Sequence, residues 1–425
     1  MLYEELNKYI DENEIDDVLK KIKRQDDITD EKERYHRILN AARKRFGDGD
    51  WHFISSPGRS EIGGNHTDHQ HGHVVAASLD IDNLCAVKPN GENICIFVDK
   101  KFKDCIINLD NLEPVEEEKN TSASLIRGIA ARLKELGYEI GGFDAYCDSE
   151  VLIGSGISSS ACYEVMLVEI FNCLFNNCSI SPKDRALIAQ YAENNYFGKP
   201  CGLMDQLAIS VGGLVAVDFE DPNNPNIDSY DFDFSDYGYE FFLINTKGSH
   251  ANLNDEYAAV TREIKEVANL MNVEVLRDKS ANYFFENIKD LRESLNNDRA
   301  LLRAFHYYNE DKRAIKLESA IACKDIEKIL RLIKESGRSS YMYLQNVYPA
   351  SMPDRQPCAI GLALSDYILN DLGAYRIHGG GFAGTIQAFV PKNLTEGYKA
   401  ALSLMFGDDA ILEVKIRPFG TKTII

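Results

Sequence analysis

Apolar positions recur along the chain at two spacings. In "EKERYHRILNAARKRFG", Tyr35, Ile38, Leu39 and Ala42 fall on one helical face, and Gly47 closes the segment. Short apolar runs replace that period in "WHFISS" and "NLCAVKPNGENICIFVD", which predict strands, the latter two joined by a turn at Asn90-Gly91. "SASLIRGIAARLKELGYEIG" returns to helical spacing. "GFDAYCDSEV" reads as a strand leading into "LIGSGISSSACYEVMLVEIFNCLF", a glycine/serine loop that runs straight into a long apolar helix. "SPKDRALIAQYAENNYFG" predicts a helix with Pro182 in its first turn.

The polar, turn-rich stretch "EDPNNPNIDSYDFDFSDYG" is the best domain connection. Beyond it come a strand "YEFFLINT", a helix over 253–270, helical sequence over 299–336, and "YRIHGGGFAGTIQAFV", which reads as strand, glycine loop, then strand or helix. Residues 1–34 spell short, highly charged amphipathic helices, an appended extension. The pattern thus predicts mixed α/β structure in two lobes, 35–230 and 231–425.

The chain's 425 residues, 44% hydrophobic, suffice for a large core and exceed one ordinary domain. Its 47 Lys+Arg against 67 Asp+Glu give a formal charge of -20. A field of that sign disfavours nucleic acid and anionic membranes as partners. Screening confines its repulsion of a nucleotide to roughly 8 Å. A phosphate site must therefore be built locally, from backbone N–H groups, a cation and a few placed side chains. Ten cysteines without a CxxC pair point to reduced, mostly buried thiols. The N-terminal segment lacks a signal peptide's apolar core, and no run of about 18 apolar residues exists. A soluble, cytoplasmic protein, monomer favoured, is the expectation.

Several stretches are candidates for chemistry. In "GSGISSSA", Gly154 to Ala161, glycines let backbone approach an anion and the following helix offers unpaired N–H groups. Its serines can cap the helix, donate to phosphate or ligate Mg²⁺. No Walker lysine follows, since Gly198-Lys199 precedes proline, so an ordinary P-loop is excluded. "GGGFAG" fits GxGxxG formally but lies too near the C-terminus to open a doubly wound half, so a dinucleotide-binding oxidoreductase is not expected. In "ENNYFGKPCGLMDQLAISVGG", Glu193 and Asp205 flank a Gly/Pro turn. One carboxylate on Mg²⁺ and another orienting a hydroxyl is what phosphoryl transfer requires; standing alone, the pair reads equally as two surface caps. "SEIGGNHTDHQHGHVV" raises zinc through His66, His69, His71 and His73 with Asp68. However, His71 and His73 lie two apart around Gly72, and no H-E-x-x-H is present, so metal hydrolysis is not expected.

Together these stretches resemble the galactokinase branch of the GHMP small-molecule kinases. "SSPGRSEIGGNHTDHQHG" looks like that family's sugar signature, "GSGISSSA" its phosphate loop, "ENNYFGKPCGLMDQ" its catalytic segment and "RIHGGGFAGT" its third motif; "NTKGSHANLNDEYAAVTREIKEV" resembles a further family segment. The resemblance implies a two-domain α+β fold: an N-terminal ribosomal-protein-like α/β domain with a left-handed crossover, and a C-terminal ferredoxin-like domain. It implies an ATP- and Mg²⁺-dependent kinase acting on the C1 hydroxyl of galactose or a close relative. Asp205 and Arg59 would be catalytic. Gly154, Ser155, Gly156, Ser158, Ser159 and Ser160 would hold ATP, and Ser160 and Glu193 would hold Mg²⁺. Arg59, Asn65, His66, Asp68, Gly202, Asp205 and Tyr257 would contact sugar.

Departures from that pattern bear on substrate. Position 65 is Asn where galactokinases carry a Glu for the C6 hydroxyl. Ser60-Glu61 stands for Val-Asn, His69-Gln70 for Tyr-Asn, Leu152 for Pro, and His378 and Ala383 for Thr and Gly. A Glu at 65 would repel a uronic acid's carboxylate by about 4 kcal/mol at 4 Å and an effective dielectric of 20. Asn65 therefore admits galacturonate without requiring it, and "HTDHQ" without a preceding acid resembles plant galacturonate kinases. A galacturonate 1-kinase and a non-catalytic galactose/ATP sensor on the same fold are the alternatives.

Overall fold

The computed structural model describes residues 1–100, 103–151, 156–248 and 253–425. Amphipathic spacing at the start of the chain builds α1 (Tyr3–Asp11), α2 (Asp16–Lys23) and α3 (Thr29–Phe46). Their buried faces, including Leu6, Leu19 and Ile38, share one cluster with Trp51, Phe53, Leu84 and Ala86. The first segment is thus built into the lobe that follows, and a division at residue 34 would fall inside α3. Its charges reach the same lobe: Arg34 donates to Asp82 at 2.6 Å, a buried contact, and to the half-buried Asp148 carbonyl at 2.9 Å.

The first lobe is formed by β1 (His52–Gly63), β2 (His73–Pro89), β3 (Ile94–Asp99), β4 (Cys105–Asn108), α4 (Ser122–Glu135), β5 (Phe143–Ser149), α5 (Ser159–Phe175), α6 (Pro182–Ala192), α7 (Met204–Val211), β6 (Leu214–Asp218) and β7 (Asn226–Tyr230). The Asn90-Gly91 turn does join β2 to β3, but the two do not pair. β5 lies between them, antiparallel to β2 and parallel to β3. β7 lies within the stretch read as a connection and pairs with β6 as a polar edge strand, so the connection is confined to the residues after Tyr230.

The second lobe comprises β8 (Tyr239–Asn245), α8 (Asn254–Leu270), α9 (Ala281–Glu286), α10 (Ile288–Leu295), α11 (Asp298–Ala322), α12 (Ile326–Ser339), α13 (Pro357–Leu369), β9 (Ala374–Ile377), β10 (Thr385–Pro391), α14 (Thr395–Phe406) and β11 (Ile411–Val414). Its antiparallel sheet has the order β11-β8-β10-β9. That is the βαββαβ order of a ferredoxin-like sheet, with extra helices inserted between β8 and β9. "GGGFAG" is the loop between antiparallel β9 and β10, so no helix follows it as a dinucleotide fingerprint requires.

One buried apolar cluster runs from Ile62, Val75 and Leu79 through Leu317 and Ile333 to Phe241 and Phe389, so the lobes share a core. The chain then returns to the first sheet: β12 (Lys422–Thr423) pairs with β1, giving the order β12-β1-β2-β5-β3-β4 with β6 and β7 attached to β2. Residues after about 414 therefore belong to the first lobe rather than to the 231–425 unit. All ten cysteines are free thiols, and among the described residues no helix is long and apolar enough to cross a membrane.

The returning tail carries partners for buried charge. Arg185 donates to the Thr421 carbonyl at 2.9 Å, and the Thr423 N–H donates to Glu169 at 3.1 Å. Deleting residues 421–425 should lower stability by about 3 kcal/mol or more, because it removes strand pairing and strips partners from Arg185 and Glu169. An unchanged urea midpoint would show that the tail contributes nothing.

Candidate active site

Two register shifts interrupt the pairing of β1 with β2, one between Pro57 and Arg59 and one between Glu61 and Gly63. Such bulges re-aim side chains, and here Arg59 enters a cleft between the lobes. Its Nε and Nη2 grip the Asp205 carboxylate at 2.6 and 2.7 Å, while Nη1 donates to the Gly156 carbonyl. Asp205 sits in the first turn of α7, where a carboxylate also faces the positive end of the helix. Ser158, in the left-handed region at φ 58°, donates its hydroxyl to the same carboxylate.

Beside this pair, Glu193 begins a π-type turn that continues α6, a distortion frequent at functional sites. Its carboxylate is 2% exposed, accepting from Lys199 Nζ at 3.1 Å and Gln206 Nε2 at 2.9 Å. Gln206 Nε2 also donates to Glu164 at 3.1 Å. Burial, then the neighbouring Glu193, pushes the Glu164 carboxyl well above its ordinary range. Ser160, Glu193, Asp68 and Asp205 line one small recess of about 100 Å³. Asp68 reaches it because residue 202 is Gly: a Cβ there would stand 2.2 Å from Asp68 Oδ2.

The glycine loop after β9 closes the other side, and the carbonyls of its three glycines are captured by residues assigned above to sugar. Asn65 Nδ2 donates to Gly379 O at 2.7 Å, His66 Nε2 to Gly380 O at 3.1 Å, and Tyr257 Oη to Gly381 O at 2.9 Å. Burial, then the His69 charge, lowers the His66 pKa to about 4, which makes it a neutral Nε2–H donor. Gly381 has φ 84°, and a Cβ there would meet the Asn346 carbonyl at 2.2 Å.

Asn65 is held by the protein's own groups. Its side chain is 1% exposed and its hydrogen bonds are all made within the protein. Besides Gly379, Nδ2 donates to Glu61 at 3.1 Å, and Oδ1 accepts from Asn346 at 2.8 Å and Ser340 at 3.3 Å. Asn65 does not line the cleft. The residues at 61 and 65 are thus linked directly, amide to carboxylate. Glu61 now carries the charge, buried and held by Arg376 at 2.6 Å.

Helix α11 supports the loop from behind, and nothing in the short motifs pointed to it. His306 Nε2 donates to Asn65 O at 2.8 Å, and Glu310 accepts from Gly64 N at 3.0 Å. Asp311 accepts from His73 through backbone N–H and Nδ1, both at 2.8 Å. His306 and Glu310, one turn apart on the helix, are fully buried, which their spacing in the sequence does not reveal. None of these histidines sits in a metal cage; among the described residues no group of three or more His, Cys, Asp or Glu could hold a metal ion.

Gly156, Ser158, Ser159, Ser160, Arg59, Asp205 and Tyr257 line the cleft together, with His378 and the glycine loop. Gly154, Ser155 and Leu152 lie outside the described residues. Ser159 and Ser160 also border a larger, mostly apolar cavity of about 390 Å³ walled by Phe97, Leu125, Val151 and Tyr163. Its walls come from separate elements, so no contiguous motif marks it.

Comparisons with known proteins agree with this geometry. Residues 124–213 match the family description "GHMP kinases N terminal domain" and residues 43–89 the "Galactokinase galactose-binding signature". The two matched segments thus carry GHMP kinase and galactokinase signatures. Over most of its length the chain is similar to galactokinases. It is 26% identical over 366 residues to the galactokinase of Clostridium tetani (strain Massachusetts / E88), covering 85% of this chain and 89% of that protein. It is 27% identical over 348 residues to that of Actinobacillus pleuropneumoniae serotype 3 (strain JL03), covering 81% and 86%. The structure of Lactococcus lactis galactokinase complexed with galactose superposes with a TM-score of 0.76 at 22% identity, covering 90% of this chain and 98% of that one. The Methanococcus jannaschii mevalonate kinase gives 0.60 at 14% identity, covering 87% and 99%. The chain shares the fold of these kinases.

Two measurements test the loop support. Asn65→Glu places a carboxylate against Glu61, a repulsion of about 4 kcal/mol at 4 Å and an effective dielectric of 20. Stability should fall by that order, and Glu61→Asn in the same chain should restore most of it in a urea double-mutant cycle. For His73, burial alone would lower the pKa, but the hydrogen bond and charge of Asp311, then Asp218, raise it above 6.5. Its stabilisation is therefore complete below about 6.5 and lost as pH rises through the elevated folded value. The stability gap between wild type and His73→Gln should narrow with rising pH; a constant gap would contradict this linkage.

Proposed function

We propose that the protein is a galactokinase-like kinase that transfers the terminal phosphate of ATP to the anomeric C1 hydroxyl of galactose. The observation that carries this reading is the forked Arg59–Asp205 pair, set where the phosphate loop, the glycine loop and the recess bearing Ser160 and Glu193 converge. The names of the relatives point the same way.

Each group has a task the geometry suits. Asp205 would accept a hydrogen bond from the sugar hydroxyl and take its proton as the oxygen attacks phosphorus, with ADP leaving. Arg59 would hold that carboxylate and face the charge of the transferred group. Asp68, beside Gly202 in the same recess, would accept from ring hydroxyls. Ser159 and Ser160 border both the cleft and the apolar cavity, so phosphates in the first and adenine in the second make one continuous nucleotide site. Ser160 and Glu193 supply two hard oxygen donors, the kind of partial set Mg²⁺ accepts when phosphates and water complete its shell. The ion would neutralise phosphate charge there. A cytoplasmic monomer is the setting this reading assumes.

The galacturonate reading rested on Asn65 facing the substrate, and its amide is committed elsewhere. Among the described residues, the lysine and arginine lining the cleft, Lys199 and Arg59, are both paired with carboxylates. Galactose therefore stays ahead. A panel of galactose, galacturonate, N-acetylgalactosamine and arabinose with ATP and Mg²⁺ tests the reading. ADP release should be fastest with galactose, and no release with any sugar would favour the non-catalytic sensor. Asp205→Asn should lower kcat about 10²–10⁴-fold with galactose affinity changed only a few-fold; lost sugar binding would refute the role given to Asp205.

A further inference from the structure

In a cleft where the loop's glycine carbonyls all have donors, the His378 ring has no partner among the described residues. His378, between β9 and Gly379, is 3% exposed, and neither Nδ1 nor Nε2 makes a hydrogen bond among the described residues. It lines the cleft with Arg59, Gly156 and Ser158. A Cβ on Gly156 would stand 3.1 Å from Nδ1, so that edge of the ring is turned to the phosphate loop.

The charged groups around it are Arg59 on β1 and Arg376 on β9. Asp205 and Glu61 lie across those two arginines and are gripped by them. An imidazole N–H without an acceptor, in a pocket whose nearest charges are cations, is the complement of an oxyanion.

We propose that His378 is a ligand for the phosphate chain of the bound nucleotide, donating a ring N–H to a phosphate oxygen beside Gly156. The inference rests on the kinase reading above. The galactokinase pattern carries Thr here, so this contact belongs to this chain. Burial and then the two arginines hold the ring neutral, well below its ordinary pKa. An arriving phosphate adds the missing negative charge and favours the protonated ring, so nucleotide binding draws a proton from solution.

Calorimetric titration with a non-hydrolysable ATP analogue and Mg²⁺, in two buffers of different ionisation enthalpy near pH 7, tests this on the full chain. Wild type should bind with net proton uptake. His378→Leu should bind about tenfold or more weakly while melting at a higher temperature without nucleotide, because a buried unpaired polar group has been removed. His378→Asn, which keeps an N–H near the Nδ1 position, should recover most of the affinity and none of the uptake. Unchanged affinity in His378→Leu overturns the proposal, as does undiminished uptake in His378→Asn. If His378→Leu fails to fold, the asparagine variant still decides through its uptake. A wild type that binds no nucleotide would overturn the kinase reading itself, a different result from variants that match a binding wild type.

Discussion

A single guanidinium sets the geometry of the cleft. Arg59 commits its planar fork to Asp205 and a further N–H to the Gly156 carbonyl, so β1, α7 and the segment before α5 meet at one rigid group. Three partners held by one plane cannot shift independently. A lysine would supply the charge without that constraint. The bulge before Arg59 turns the fork into the cleft, and the 7% exposure of the residue leaves water little room to compete.

Around that group, preorganisation is carried by neutral hydrogen bonds more than by charge. The Gly379–Gly381 carbonyls are each assigned a donor, and the loop bearing two of those donors is itself held from behind by α11. Sites of this kind need supporting contacts to fix the groups that touch the ligand. The pair at 61 and 65 places its one carboxylate where Arg376 neutralises it and leaves a neutral amide to hold the glycine loop.

Much of this was legible in the sequence, because local patterning and local structure agree there. The helical face at Tyr35–Ala42, the strand β5, the helix α5 that starts at Ser159, and the Glu193–Asp205 segment fold as their spacing says. What escaped was long-range. β7 is too polar to announce itself because only its partner β6 makes it a strand, and Asn65 looked free because its partners lie near 61, 340, 346 and 379. His306 and Glu310 were unremarkable helical residues until the fold set them behind Gly64 and Asn65. Spacing reports what neighbours in sequence can do together; it is silent about which distant segments they meet.

The pairing of Ile54 with Thr423 carries a consequence for synthesis. The strand that covers this edge of the first sheet is made only after the whole second lobe. At about 5–20 residues per second, a ribosome leaves that edge uncovered for on the order of tens of seconds. During that interval the nascent first lobe presents the unpaired backbone of β1 as a template for stray strands. The interval before Thr423 arrives is when this chain is most open to mispairing and most dependent on chaperones.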